Sequence, residues 1–313
     1  MIVTLTLNPS VDRTLVVDQL APGTVQRASS GWSEPSGKGV NVSLALRTHG
    51  LATRAVLPIG GPNGKRLAEM LDEVGIDHVN VPITGNIRSN VSLLEPDGKV
   101  TKVNEPGPVL SADEVDALLD TTLKAATQAS WLVGSGSLPR GTAPDLYARL
   151  VQRAHRAGLR VAIDSSGPPL VAALPAGPDL IKPNAHELAE AADAPVATLG
   201  QAADAARRLR ERGARTVLAS LGSDGALLVE EDSVLHAEVI VENPQSAVGA
   251  GDALLSGFLA GGASGEPALR TALAWAATAL QQPGTLLGAG IDEDSFKIVF
   301  HGDPQPDRRL RAD

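Results

Sequence analysis

Between residues 111 and 219 the chain alternates helix-length amphipathic stretches with short apolar strands, and this rhythm limits the possible folds more than any other feature. Residues 111–126, 142–157, 184–191 and 199–212 have helical spacing; 130–134, 160–163, 179–182 and 215–219 read as strands. Apolar strands separated by helices imply a parallel sheet covered on both faces. Aromatic residues make up only 2% of the chain against 43% hydrophobic residues overall, so the core has to be built from Ala, Val, Leu and Ile.

Ahead of this region, 2–7 reads as a first strand. Residues 36–50 and 64–74 read as helices, with a strand at 53–57 between them. Candidate strands at 11–17, 25–30, 91–94 and 99–103 stand outside the rhythm, the last two joined by an Asp97-Gly98 turn. The segments 11–30 and 88–104 are expected to form a separate small sheet over the mouth of the main domain. Beyond 219, strands are expected at 225–229 and 234–241, and helices at 250–261, 266–281 and 292–300. With no long linker, residues 1–301 read as one domain. Residues 302–313, rich in Pro, Asp and Arg, are expected to be a disordered tail.

The stretch Ser246-Ala247-Val248-Gly249-Ala250-Gly251-Asp252 runs from an extended segment through a glycine turn into a helix. First-turn amides of such a helix favour an anion. Asp252 reads either as an ordinary N-cap or as a carboxylate that takes a proton from an alcohol while the amides hold a phosphoryl group. Ser36-Gly37-Lys38-Gly39-Val40-Asn41 is not a Walker A loop, since no Ser or Thr follows the lysine. In Lys182-Pro183-Asn184-Ala185-His186-Glu187, Asn184 and Glu187 fit either a capping box or a magnesium shell of few protein ligands. Two dinucleotide-like patterns fail, with Pro139 and Leu254 where a third glycine belongs. None of the six histidines has metal-site spacing.

The net charge of −9 without a basic run argues against nucleic-acid and membrane partners. The absence of cysteine excludes disulfides and thiolate chemistry. The opening residues lack a basic leader segment and no apolar run spans a bilayer, so a cytoplasmic protein is expected.

Eight short stretches together resemble the ribokinase-like sugar kinases of the phosphofructokinase-B type, in family order. They are Leu5-Thr6-Leu7-Asn8-Pro9 with Asp12, the Ser36–Asn41 loop, Asn104-Glu105-Pro106-Gly107-Pro108 and Gly134-Ser135-Gly136-Ser137-Leu138-Pro139. Asp164-Ser165-Ser166-Gly167, Lys182-Pro183-Asn184 with Glu187, Ser220-Leu221-Gly222 with Gly225, and Val248–Asp252 complete the series. The resemblance implies a Rossmann-like three-layer α/β/α sandwich with a β-sheet lid, paired with the lid of a second subunit in a homodimer.

It further implies ATP-dependent, Mg²⁺-supported phosphorylation of a ketohexose phosphate, D-fructose 1-phosphate first. Fructose 6-phosphate and tagatose 6-phosphate are the alternative acceptors, and a catalytically silent sugar-phosphate sensor is the rival class. Implied roles are Asp252 as base, with Gly249, Ala250 and Gly251 as anion hole. Asp12, Gly37, Lys38, Asn41 and Ser137 would lie at the sugar, and Arg88, Asn90 and Arg27 at its existing phosphate. Lys182, Asn184, Ser220, Gly222 and Gly225 would border the nucleotide, and Asn184 with Glu187 would hold Mg²⁺ through water. Ser36 and Ala247 depart from the family's usual Gly and Thr. As base, an aspartate of ordinary pKa, about 4, would accept the proton late.

Overall fold

The computed structural model describes residues 1–241, 244, 248–282, 295–301 and 305–311. Ala247 therefore lies outside the described residues, as do 292–294 and 302–304. Among the described residues a ten-stranded sheet forms the centre. Its parallel part comprises β1 (Ile2–Thr6), β4 (Thr53–Ile59), β5 (His78–Pro82), β8 (Trp131–Ser135), β9 (Val161–Asp164), β10 (Leu180–Ile181) and β11 (Val217–Ser220). One edge then turns antiparallel through β12 (Ala226–Val229), β13 (Val234–Val239) and β14 (Ile298–His301).

Strand side chains alternate between two cores, as a pleated strand requires. Leu132, Val161, Ile163 and Val217 enter one core with α3 (Ala112–Ala125), α4 (Leu146–Arg156), α5 (Gly167–Ala173), α6 (Ala185–Ala192) and α7 (Leu199–Glu211). Trp131, Val133, Ala162 and Leu218 enter the other with α1 (Lys38–Thr48), α8 (Ala250–Ala260) and α9 (Gly265–Leu280). Helix α2 (Gly61–Glu73) packs against β4 and the lid strands. This is the three-layer α/β/α sandwich the sequence implied.

The lid is a four-stranded sheet ordered β3-β2-β6-β7, built from β2 (Ser10–Val16), β3 (Ser30–Ser36), β6 (Arg88–Leu94) and β7 (Val100–Val103). Its second strand is 30–36 and not 25–30. β3 contains Gly31 and Pro35, but it is an edge strand, where Pro is tolerated. The register Ser10↔Ser36 delivers the chain directly into α1.

Three other expectations change. Residues 298–301 form a strand on β13 rather than the end of a helix, as the β-branched pair Ile298-Val299 favours. β5 and α5 were not anticipated. Residues 305–311, expected to be disordered, pack against the start of α7, where the Leu199 amide donates to Arg308 O at 2.9 Å and Gly200 to Pro306 O at 3.0 Å. No helix among the described residues is long and apolar enough to cross a membrane.

Candidate active site

The C-terminal ends of parallel strands are where an open α/β sheet gathers ligand-binding residues. Here β1 leads to Asn8, β8 to Ser137, β9 ends on Asp164, β10 precedes Lys182 and β11 ends on Ser220. A cavity of about 1070 Å³ opens beside them, lined by Lys38, Lys182, Asn184, Glu187, Ser220, Gly222, Gly225 and Gly249–Asp252. Val239, Ile240, Leu273, Ala276 and Leu280 add apolar lining.

Asp252 stands in the first turn of α8 and is 8% exposed. Gly249, the residue before the helix, has φ +80°, a left-handed conformation that a side chain would strain. Among the described residues no side chain caps α8, and its first-turn amides lack intrahelical acceptors, an arrangement that favours an anion. Asn41 Nδ2 donates to Asp252 Oδ2 at 2.8 Å. Burial, then the Asp164 charge, raises the Asp252 pKa to about 6, against the pull of Lys38, the Asn41 hydrogen bond and Lys182. The carboxylate is thus a stronger base than the ordinary aspartate expected from the sequence.

Lys38 opens α1 after Gly37, whose φ is +131° and whose missing side chain would stand 2.7 Å from Thr6 Cγ2. The Lys38 ammonium, expected at the sugar, lies 2.9 Å from Asp164 Oδ1 and 4.0 Å from Glu187 Oε1. Lys182 Nζ lies 3.4 Å from Asp164 Oδ2. Complete burial alone would raise the Asp164 carboxyl, but Lys182 and Lys38 outweigh it and hold it below the ordinary carboxylate range. Asp164 in turn raises Lys38 above the usual lysine range, more than burial lowers it. Two cations thus share one buried anion beside the helix N-terminus. Sequence reasoning gave Asp164 no role; its place at a strand's C-terminal end before Ser165-Ser166-Gly167 was the available signal.

Asn184 and Glu187 do form a capping box: Glu187 N donates to Asn184 Oδ1 at 2.8 Å and Asn184 N to Glu187 Oε2 at 2.9 Å. Asn184 Oδ1 and Glu187 Oε2 accept from the backbone, while Glu187 Oε1 has no backbone bond and lies 4.0 Å from Lys38 Nζ, so the pair fits a Mg²⁺ that keeps most of its waters. No cluster of three or more metal-ligating side chains occurs among the described residues.

At the lid, Asn90 Nδ2 donates to Asp12 Oδ1 at 2.8 Å and to Ser10 Oγ at 3.0 Å. Arg88 is half-buried; its Nε donates to Asn8 O at 3.2 Å and its Nη1 to Glu105 O at 3.3 Å. Asn8 Nδ2 donates to Ser137 Oγ at 3.3 Å. Asp12, Arg88, Asn90 and Ser137 therefore form one polar group at the lid's root, joined to Asn41 through Ser36 and Gly37. The acceptors Asn41 Oδ1 and Asn8 Oδ1 are buried without a partner among the described residues. Buried polar atoms are normally paired, so both await a donor such as a hydroxyl. Arg27 is exposed on the connection between β2 and β3.

A family model described as pfkB family carbohydrate kinase matches residues 5–289. The chain belongs to the PfkB carbohydrate kinases. Relatives of this PfkB protein include the 1-phosphofructokinase of Bacillus subtilis, 34% identical over 83% of this chain and 85% of that protein. The ATP-dependent 6-phosphofructokinase isozyme 2 of Mycobacterium tuberculosis is also 34% identical, over 97% and 90%. Among solved structures, phosphofructokinase-2 of Escherichia coli in complex with potassium superposes with a TM-score of 0.89 at 31% identity, covering 94% of this PfkB chain and 97% of that one.

Proposed function

We propose that this PfkB kinase transfers the γ-phosphoryl group of ATP to a hydroxyl of a ketohexose phosphate, D-fructose 1-phosphate foremost, giving D-fructose 1,6-bisphosphate. The observation that carries this reading is Asp252, a buried carboxylate raised to a pKa of about 6 beside an uncapped helix N-terminus. The curated 1-phosphofructokinase relative supports the choice of acceptor, and the 6-phosphofructokinase relative keeps fructose 6-phosphate as the second reading.

As the hydroxyl oxygen bonds to the γ-phosphorus, its O–H bond breaks and the proton passes to Asp252 Oδ1 or Oδ2. The bond from the γ-phosphorus to the bridging oxygen breaks, and ADP leaves with that electron pair. Phosphoryl transfer depends on positioning and charge stabilisation more than on covalent chemistry. The amides of Gly249, Ala250 and Gly251 offset charge on the moving group. Asn41 orients Asp252, with its free Oδ1 toward a sugar hydroxyl. Lys182 and Lys38, held by Asp164, face the nucleotide phosphates. Asn184 and Glu187 would hold Mg²⁺ through water, and the bound ion would neutralise part of the phosphate charge. Arg88 and Asn90 bind the phosphate already on the sugar, and Asp12 and Ser137 its hydroxyls.

The lid of a second copy completes a homodimer in this reading. Trp32 on β3 and Val100 and Val103 on β7 are exposed at 40%, 46% and 59%, at both edges of the lid sheet. Such apolar area on sheet edges suits association with a like sheet.

The deciding measurement is ADP formation with fructose 1-phosphate, fructose 6-phosphate and tagatose 6-phosphate in parallel at low concentration, ranked by kcat/KM. Highest kcat/KM with fructose 1-phosphate is expected. A higher value for either 6-phosphate reassigns the acceptor, and no ADP with any of them leaves a sugar-phosphate sensor.

A further inference from the structure

One group of charged side chains has no part in the chemistry above. Asp224 ends the 3-10 turn Gly222–Asp224 between β11 and β12 and is 1% exposed. A carboxylate so buried needs charged or hydrogen-bonding partners. Its side-chain partners come from 84 and 87 residues away, at Arg308 and Arg311: the amide of Arg311 donates to Asp224 Oδ2 at 2.6 Å. Arg308 Nη2 donates to Asp224 Oδ1 at 2.8 Å, and the same guanidinium pairs with Glu238 on β13. His301 Nε2 lies 2.8 Å from that Glu238 carboxylate.

The backbone of the segment is fixed as well. Besides the bonds from Leu199 and Gly200, the Leu310 amide donates to Ala197 O at 3.0 Å. Residues 305–311 thus tie the start of α7 to the turn after β11. That turn carries Gly222 and Gly225, and Ser223, Glu238 and Arg311 line the same cavity wall. Arg311 Nη1 reaches Ser223 O at 3.4 Å.

We infer that residues 305–311 are a strap that shapes the nucleotide end of the cavity, with Arg308 and Arg311 as positioning residues acting through Asp224 on the Gly222–Gly225 turn. This rests on the reading of that cavity as the ATP site. A guanidinium held by two carboxylates fixes both at once, because its planar fork presents several donors in set directions. The turn is closed by its own bonds, Leu221 N to Gly225 O at 2.8 Å and Asp224 N to Leu221 O at 3.0 Å, and the seated strap adds a hold on its Asp224 side chain. The acceptor sugar is bound elsewhere, at Asn41 and the lid, so the strap bears on the nucleotide alone.

The test compares the full-length wild type with Arg308→Ala, Arg308→Lys and Arg311→Ala. ATP binding is measured by calorimetry, with initial rates and melting temperature without nucleotide. Arg308→Ala is expected to raise Kd and KM for ATP about tenfold, with the sugar-phosphate KM and kcat at saturating ATP within about twofold. Arg308→Lys should recover part of the loss, since charge returns without the fork. Arg311→Ala, changed at an exposed side chain, should show the same split to a smaller degree and keeps the test open should Arg308→Ala not fold. Wild-type ATP affinity in Arg311→Ala and Arg308→Lys, or equal losses in both substrates, overturns the strap and leaves the kinase reading intact. A wild type that binds no ATP overturns both.

Discussion

Asp252 carries two opposed demands at once. As a base it must be ionised, and burial makes ionisation costly. Asp252→Asn should lower kcat by about 10²–10⁴-fold or more and change sugar-phosphate affinity little. The acid limb of the wild-type kcat/KM profile should fall with an apparent pKa near 6, and the variant should lose that limb. Stability should move the other way. The folded pKa lies above the ordinary carboxylate value, so between about pH 4 and 6 the folded state holds more protons and stability falls as pH rises. Asp252→Asn should therefore melt higher than wild type at pH 8, by an advantage on the order of 1–3 kcal/mol that shrinks toward pH 4. An advantage independent of pH would remove the titration of Asp252 as its cause. For Arg88, two donors are already held by backbone carbonyls. Its remaining donors can contribute roughly 1.5–3 kcal/mol each to a phosphate, so Arg88→Ala should lower kcat/KM for fructose 1-phosphate about 10- to 100-fold. Fructose, lacking the phosphate, should lose much less; equal losses would make Arg88 a support for the lid. Asp252 and Asn41 were legible in the sequence because each follows a glycine turn into a helix. The sharing of Asp164 by Lys38 and Lys182 was not, since three separate strand and helix ends converge there only after folding.

Helix α6 shows how one pair of side chains serves both local structure and a site. Its capping box satisfies two amides that would otherwise lack partners. Glutamine keeps that box, because it too offers an acceptor to the N-cap amide. Glu187→Gln should therefore leave the melting temperature nearly unchanged and raise the Mg²⁺ concentration needed for half-maximal rate. A Mg²⁺ titration identical to wild type would leave Glu187 as a cap only. Elements built on continuous periodicity, such as α3, α7, β8 and β9, could be read directly from the sequence. β3 could not, because its Gly, Ser and Pro residues become strand only through seven register contacts with β2. The 298–301 strand failed for a related reason: a short apolar run carries no period of its own, and only pairing with β13 decides it. Five of the strap's seven residues are polar or charged, and nothing in their composition announces the buried Asp224 that seats them.

At the scale of the whole molecule the lid extends the main domain and presents apolar side chains outward. Trp32→Asp should shift the protein toward monomer in sedimentation velocity and reduce activity most at low enzyme concentration. A dimer that persists with full activity would place the subunit contact away from this edge. The hydrogen bond from Asn41 to Asp252 joins residues 211 apart, and the lid pairs β2 with β6 across 78 residues. Loops of that length must close before such contacts return any stabilisation, which slows folding in chains dominated by distant pairings. Local helices such as α4 and α7 carry no such delay. On dilution from denaturant, helical circular dichroism should therefore recover first and turnover last. For some interval the cell would hold molecules with most of their helices formed and no working Asn41–Asp252 pair.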